Sequence, residues 1–268
     1  MTDAHDLGLA HDLQVLDRLA TPLSPSRRRA MQVLGVAGAA GLALGLTRGT
    51  PASATVTGGG CARIPEETAG PFPADGSNGP NVLTQSGVVR RDIRPSFGSM
   101  TGRARGIPLT IRLRVQDVSG GCDDLAGAAV YLWHCDRVGR YSLYSAGATN
   151  RNWLRGVQVT DRTGRVTFRS IFPGCYPGRW PHAHFEVYRS LDEATAGEDP
   201  VVTSQLALPK RACQAVYANR GYAASRANLR QLSLAGDGIF ADGWRRQLAN
   251  TSGSNRDGWT AKLTFGVP

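Results

Sequence analysis

From Pro108 onward the chain alternates apolar and polar positions with a period of two. In PLTIRLRVQDV, Leu109, Ile111, Leu113 and Val115 share one face and Thr110, Arg112, Arg114 and Gln116 the other, the pattern of a strand buried on one side and wet on the other. AAVYLWHC is short and mostly apolar, as in a strand buried on both sides. In VQVTDRTGRVTF, Val157 and Val159 alternate, Asp161 to Gly164 supply a turn, and Val166 and Phe168 resume the alternation, which predicts a hairpin. HAHFEVY, VVTSQLAL and TAKLTFGV read as three further strands. Helical signals are sparse: PKRACQAVYANR predicts one or two turns, and ANLRQLSLA fits helix or strand equally. Many short strands separated by turn residues, with no internal repeat, predict an all-β chain folded as a single β-sandwich with few short helices. The sandwich is expected over 106–268, after an N-terminal lead-in over 55–105 whose first part, Gly58 to Pro80, is rich in Gly, Pro and Asn.

The first 54 residues break the pattern. Arg27, Arg28 and Arg29 directly precede an uncharged Ala/Gly/Leu-rich run from Met31 to Leu46, and TPASA then places small residues around Ala52 and Ala54. Basic start, apolar run and small-residue cleavage site are the three parts of an export signal. Ser26, Arg27 and Arg28 match the opening of a twin-arginine signal, with Ala30, Met31 and Gln32 in place of the usual Phe-Leu-Lys. The apolar run is shorter than the ~20 residues of a membrane span. The expectation is a signal over 1–54 and a mature protein that is extracellular, periplasmic or cell-wall associated, with no stable membrane anchor after cleavage.

Charge and cysteines refine this picture. The 268-residue chain is 41% hydrophobic, enough for one substantial core, and carries a formal net charge of +10. Beyond residue 54 it keeps 26 basic and 17 acidic residues, a net of +9. The cations are almost all arginines scattered singly, which reads as a solvated surface rather than a nucleic-acid site, and the excess favours the approach of anionic small molecules. All five cysteines, Cys61, Cys122, Cys135, Cys175 and Cys213, lie beyond the signal without a CxxC spacing. An odd number leaves at least one thiol unpaired within the chain. Cys175 has two readings, a bridge to Cys213 or a small buried apolar residue; a Cys122–Cys135 bridge would then leave Cys61 free.

The chemistry concentrates in GCYPGRWPHAHFEV, residues 174 to 187, which gathers Tyr176, Arg179, His182 and His184. Residues i and i+2 of a strand point the same way, so His182 and His184 converge. With a phenol arriving from the preceding turn, the pair has the makings of a metal site. Two histidines plus a carboxylate suit zinc or ferrous iron, and a cysteine in that place suits copper. A phenol, with its pKa near ~10, ligates as phenolate only under a strong Lewis acid, so the tyrosine points to ferric iron. His134, in WHCD, reads as a satisfied core histidine, Trp133 as core packing, and Asp136 as a residue that orients the following turn.

YLWHCDRVGRYSLYS, LRGVQVTDRTGRVTFRSIFPGCYPGRWPHAHFEV and the G-x-Y-S, P-G-x-Y-P-G-R and P-H-x-H elements within them resemble the intradiol ring-cleavage dioxygenases, the class of catechol 1,2- and protocatechuate 3,4-dioxygenases, and within it the exported twin-arginine branch. The resemblance runs from CARIPEETAGPFPADG to GIFADG. It implies a non-haem Fe(III) held by Tyr141, Tyr176, His182 and His184, with Tyr141 preferred over Tyr144 because the family's ligand directly precedes a small polar residue, here Ser142. It further implies that Arg179 sits beside the bound catecholate, that Gln205 hydrogen-bonds this arginine, and that Tyr176 serves as an internal base. The implied reaction inserts both atoms of O2 into a catechol-type aromatic and opens the ring to a muconate-type diacid. Ala183, Trp180 and Cys175 depart from the family pattern at positions that shape the pocket. The helical dimerisation segment of catechol 1,2-dioxygenases is not evident, so a monomer or homodimer is expected. Two rivals stand beside this reading: a non-catalytic exported β-sandwich binding module, and an exported zinc hydrolase, for which no carboxylate ligand lies near the motif.

Overall fold

The computed structural model describes residues 61–268; the expected export signal over 1–54 lies outside them. Nine strands build two sheets. β1 (Pro108–Asp117), β2 (Asp123–Asp124), β5 (Arg165–Ile171), β8 (Asn250–Ser254) and β9 (Gly258–Val267) form one, in which β1 lies parallel to β9 and antiparallel to β2 and β5. β3 (Ala129–Trp133), β4 (Arg155–Val159), β6 (His182–Tyr188) and β7 (Val202–Ala207) form the other, antiparallel in the order β4-β3-β6-β7. Short helices α1 (Leu191–Ala196), α2 (Lys210–Tyr217) and α3 (Ala223–Leu229) fill the connections. α2 is the helix expected in PKRACQAVYANR, and the ambiguous ANLRQLSLA begins as the last turn of α3 and holds no strand. Among the described residues no helix is long and apolar enough to cross a membrane.

The sheets meet where the period-two pattern says they should. Leu109, Ile111, Leu113 and Val115 of β1 pack with Val130 and Leu132 of β3 and with Phe185 and Val187 of β6. Each such side chain contributes about 1.5–3 kcal/mol by leaving water. The alternate residues of β6, His182, His184, Glu186 and Tyr188, face the other way, yet every residue of this strand is buried. The second face is covered by the segment expected to be a mere lead-in. Phe72, Ala74, Val82, Leu83, Val88 and Phe97 cluster there with Tyr131, Trp133 and Tyr141, so the segment acts as a third layer over the four-stranded sheet.

One expectation fails. β4 and β5 are joined by the foreseen turn, in which the Asp161 carboxylate accepts the N–H groups of Thr163 and Arg165, but they are not a hairpin. β4 pairs with β3 and β5 with β1, in different sheets. Seven residue pairs bind β5 to β1, and Val166 and Phe168 turn inward between the sheets. The alternation identified two strands and the turn, while the choice of partner was made by inter-sheet packing.

Directly across from Tyr131 on this covered face lies Glu186, whose carboxylate oxygen accepts from the Tyr188 hydroxyl at 2.8 Å. Burial, with Asp75 nearby, pushes its carboxyl from the ordinary 4.5 up to about 8. The folded protein therefore holds a proton that the unfolded chain releases, so this contribution to stability is full below about 4.5 and is lost as pH rises through about 8. Thermal melts across that range should show the midpoint of Glu186→Gln falling less with rising pH than that of the wild type; parallel slopes would contradict the assignment.

Candidate metal centre

Two strand residues, two turn residues and one point of convergence make the site. The His182 Nδ1–H donates to the Trp180 carbonyl at 2.5 Å, which fixes the tautomer and leaves the Nε2 lone pair facing inward. His184 is held by stacking instead. Its ring lies on Trp133, its cross-strand neighbour, with centroids 5.0 Å apart and planes 7° from parallel, while its Nδ1 makes no hydrogen bond among the described residues. Gly70 closes the opposite side with φ +73°, and a Cβ there would stand 3.1 Å from His184 Cε1. Only glycine meets both the left-handed backbone and the close approach without strain.

The tyrosines arrive on braced turns. Tyr176 follows Cys175, whose N–H donates to Ser225 Oγ at 2.9 Å and whose carbonyl accepts from Asn228 Nδ2 at 2.7 Å, so α3 clamps this loop. Tyr141 lies on a turn organised by Asp136, whose carboxylate accepts from the N–H groups of Val138 and Arg140 and pairs with the Arg140 guanidinium at 2.8 Å. This is the orienting role expected of Asp136. Leu143, at φ +75°, and Leu154, at φ +56°, flank the turn, a conformation that costs L-residues roughly 1–2 kcal/mol each. Tyr144 belongs elsewhere: its hydroxyl accepts from Ala74 N and donates to Asn78 Oδ1.

His182 Nε2 stands 3.0 Å from His184 Nε2, 3.3 Å from Tyr176 Oη and 3.5 Å from Tyr141 Oη. Ligands about 2.0–2.1 Å from a metal stand about 3–3.5 Å from one another, so the four atoms are spaced like the corners of a coordination polyhedron. Burial, then the Arg179 charge, depresses His182 to about 3; burial, then His182, holds His184 well below the usual imidazole range. Both are neutral, as ligation requires. Burial, then Tyr176, raises the Tyr141 phenol well above its ordinary value, so ionising it in place demands a strongly charged ion. Among the described residues no cluster of three or more His, Cys, Asp or Glu gathers. The available donor set is two imidazoles and two phenols, which suits ferric iron.

Arg179 and Gln205 adjoin the centre. Gln205 pairs with His184 across β6 and β7, its Oε1 accepts from Arg179 Nη2 at 2.5 Å, and its Nε2 donates to the Thr68 carbonyl. The partner missed in the sequence is Asp237, fully buried, 3.2 Å from Arg179 Nε and accepting the Trp180 N–H at 2.6 Å. Burial alone would lower the Arg179 pKa, but the attraction of Tyr176, Asp237 and Tyr141 raises it. Arg155 was also missed. It is 1% exposed without a carboxylate partner, and it donates to Ser142 Oγ, the carbonyls of Ser142, Phe72 and Pro73, and Tyr131 Oη at 2.7–3.2 Å. An arginine opening a strand whose neighbours are Leu154, Gly156 and Val157 was the available signal. His134 is satisfied in the core, with Nδ1 donating to the Cys135 carbonyl and Nε2 accepting from Ser170 Oγ, and Trp133 is core packing that also seats His184.

The cysteines pair differently from either expected bridge. Cys61 and Cys122 form a disulfide with Cα atoms 5.4 Å apart, while Cys135, Cys175 and Cys213 are free and buried. The left-handed backbone at Cys122, φ +77° in the β1–β2 turn, presents its sulfur to the strand-like start of the described chain beside β9. Cys175 Sγ instead contacts the Arg179 carbonyl and Cys213 Sγ that of Leu208. Burial pushes the Cys175 thiol up to about 12. The reading of Cys175 as a small buried residue is the one realised.

Residues 79–193 match the dioxygenase family model, a span that holds all four converging side chains and Arg179. Among solved structures, the chain is similar to an intradiol ring-cleavage dioxygenase from Tetranychus urticae, at 25% identity and a TM-score of 0.61, covering 77% of this chain and 95% of that one. It is also similar to a second dioxygenase, at 24% identity and a TM-score of 0.61, covering 77% and 94%. A third match is the dioxygenase domain of a carbohydrate-binding fusion from Streptomyces sp. SirexAA-E, at 23% identity and a TM-score of 0.49, covering 76% and 97%. What these matches share with the chain is a two-sheet β-sandwich with few short helices. Matched segment and structural likeness together make the chain similar to intradiol ring-cleavage dioxygenases at low identity.

Arg155→Lys tests the brace. Lysine keeps the charge but offers three donors on a point rather than a five-donor fork, leaving buried carbonyls unmet. We expect a loss of about 2–4 kcal/mol in urea unfolding; a change under about 0.5 kcal/mol would deny the brace its role.

Proposed function

We propose that the protein is a non-haem Fe(III) intradiol dioxygenase acting on a catechol-type aromatic and O2. The observation that carries this reading is the convergence of Tyr141, Tyr176 and His184 within 3.0–3.5 Å of the His182 Nε2, in a chain part of which matches a dioxygenase family model. Those four residues would hold the iron, which supplies the Lewis acidity and redox chemistry that make a bound catechol reactive toward O2. The neutral imidazoles stay as fixed donors because the Trp180 carbonyl and the Trp133 face hold them. As the phenolate that bound iron would make of it, Tyr176 would take up a proton from a catechol hydroxyl. Arg179, charged and buried, would stabilise negative charge on the ring, a role supported by Gln205 and Asp237, which hold its guanidinium. The covering segment from Phe72 to Phe97 excludes water from this face. A binding module has no need of two buried phenols set against two buried imidazoles.

The chain's export by a twin-arginine-type signal is part of the same proposal. It is supported by the Cys61–Cys122 disulfide, a bond that persists in oxidising compartments.

Purified protein with bound iron should be reddish brown from tyrosinate-to-Fe(III) charge transfer and should consume O2 with catechol to give a diacid. Colourless protein that binds zinc in place of iron would end the proposal. Two variants separate the roles. His184→Ala removes an imidazole without replacement and should lower iron occupancy; Tyr176→Phe leaves three protein ligands and should keep more iron while turnover drops. Equal iron loss in both would remove Tyr176 from the role of internal base.

A further inference from the structure

The outward face of the five-stranded sheet, on the far side of the sandwich from the metal centre, carries an excess of cations that the metal centre does not use. β1 and β9 run parallel in a register that sets Arg112 beside Lys262, and β5 sets Arg165 opposite Arg114. Like charges directly opposite in a sheet are destabilising. The second pair is relieved at the sheet's edge, where Arg114 binds Asp124 at 2.7 Å and Asp161 lies near Arg165. The first is not: among the described residues no carboxylate pairs with Arg112 or Lys262.

Two open clefts lie over this face. One, of about 320 Å³, is lined by Arg112, Arg114, Arg165 and Lys262; the other, of about 400 Å³, by Lys262, Arg245 and Arg246. They share Lys262, Leu263 and Thr264 and so run into one another, and no acidic residue lines either. The result is one elongated basic groove crossing the ~4.8 Å intervals between β5, β1 and β9 and continuing to the turn at Trp244–Arg246.

We propose that this groove docks a linear polycarboxylate, of the chemistry of an acidic polysaccharide. Repeated carboxylates along an extended chain match the row of cations and offset the Arg112–Lys262 repulsion. Single-stranded nucleic acid is disfavoured because the aromatics at the groove, Phe265 in the core and Trp244 packed against it at one end, do not form a row of exposed rings on which successive bases could stack. An anionic membrane is disfavoured because the large apolar residues exposed among those described, Val89, Val138 and Val159, lie outside the clefts, leaving nothing to insert. The groove would hold the protein on a polymer while the metal centre faces away from it.

The test measures binding of the full chain to polygalacturonate at stepped NaCl concentrations. Wild type should bind at low salt and release as salt rises. Arg112→Gln with Lys262→Gln should weaken binding roughly tenfold or more with no fall in melting temperature, and Arg245→Gln with Arg246→Gln, on the exposed turn, should weaken it similarly. Arg226→Gln with Arg230→Gln removes equal charge near α3 and should leave binding at the wild-type level. Absence of wild-type binding, equal loss in all three variants, or tighter binding to duplex DNA or phosphatidylglycerol vesicles would overturn the proposal. The result is independent of iron content and turnover.

Discussion

A guanidinium with no counter-ion among the described residues holds the face of the candidate metal centre together. Arg155 leaves water completely, and its five N–H donors are spent on Ser142 beside Tyr141, on the backbone of the covering segment at Phe72 and Pro73, and on Tyr131. Burying a charge is costly unless every donor is met. The covering segment has no regular strand or helix through which to satisfy its own carbonyls, and the arginine supplies what secondary structure would have supplied. Turn, cover and sheet are thereby one unit: the position of the Tyr141 phenol depends on a residue that touches neither phenol nor imidazole.

The same logic gives the centre its electrostatic character. Imidazoles and phenols are neutral in their buried state, and the nearby buried ion pair, Arg179 with Asp237, is balanced within itself. The sheet's far face is the reverse, with charge in excess and open to solvent. The two sides of the sandwich differ because one is roofed by the irregular chain before β1 and by the turn that carries Tyr141, whose ordering costs conformational entropy, while the other is left bare.

What was legible in the sequence was what period and local chemistry determine. His182 and His184 could be placed on one face because a strand alternates, and the strand containing Leu109 announced itself in the same way, while that containing Leu132 was read from a short apolar run. Tyr141 was chosen over Tyr144 by resemblance; in the structure Tyr141 Oη stands 3.5 Å from His182 Nε2, and Tyr144 is tied to Ala74 and Asn78. The rest depends on long-range packing. Nothing local tells β4 from β5 as members of separate sheets, or Cys61 from Cys135 as the partner of Cys122. Asp237 lies 58 residues from Arg179, in a stretch of 3-10 turns whose own sequence gives no sign of what it reaches. The covering segment was read as a lead-in because it lacks periodicity, and it lacks periodicity because it is neither strand nor helix.

The parallel pairing of β1 with β9 has a kinetic side. These strands are the first and last of the described chain, and they make the largest strand contact in the first sheet by register, nine residue pairs from Leu109↔Trp259 to Asp117↔Val267. Loop closure across so much intervening chain must be completed before the pairing returns any free energy, and topologies dominated by such distant partners fold slowly. Until β9 is made, one edge of β1 has no strand partner, while β2 and β5 can already pair with the other. Arginines at 112 and 114 on that strand also guard the waiting edge, since exposed cations discourage a second chain from adding to it.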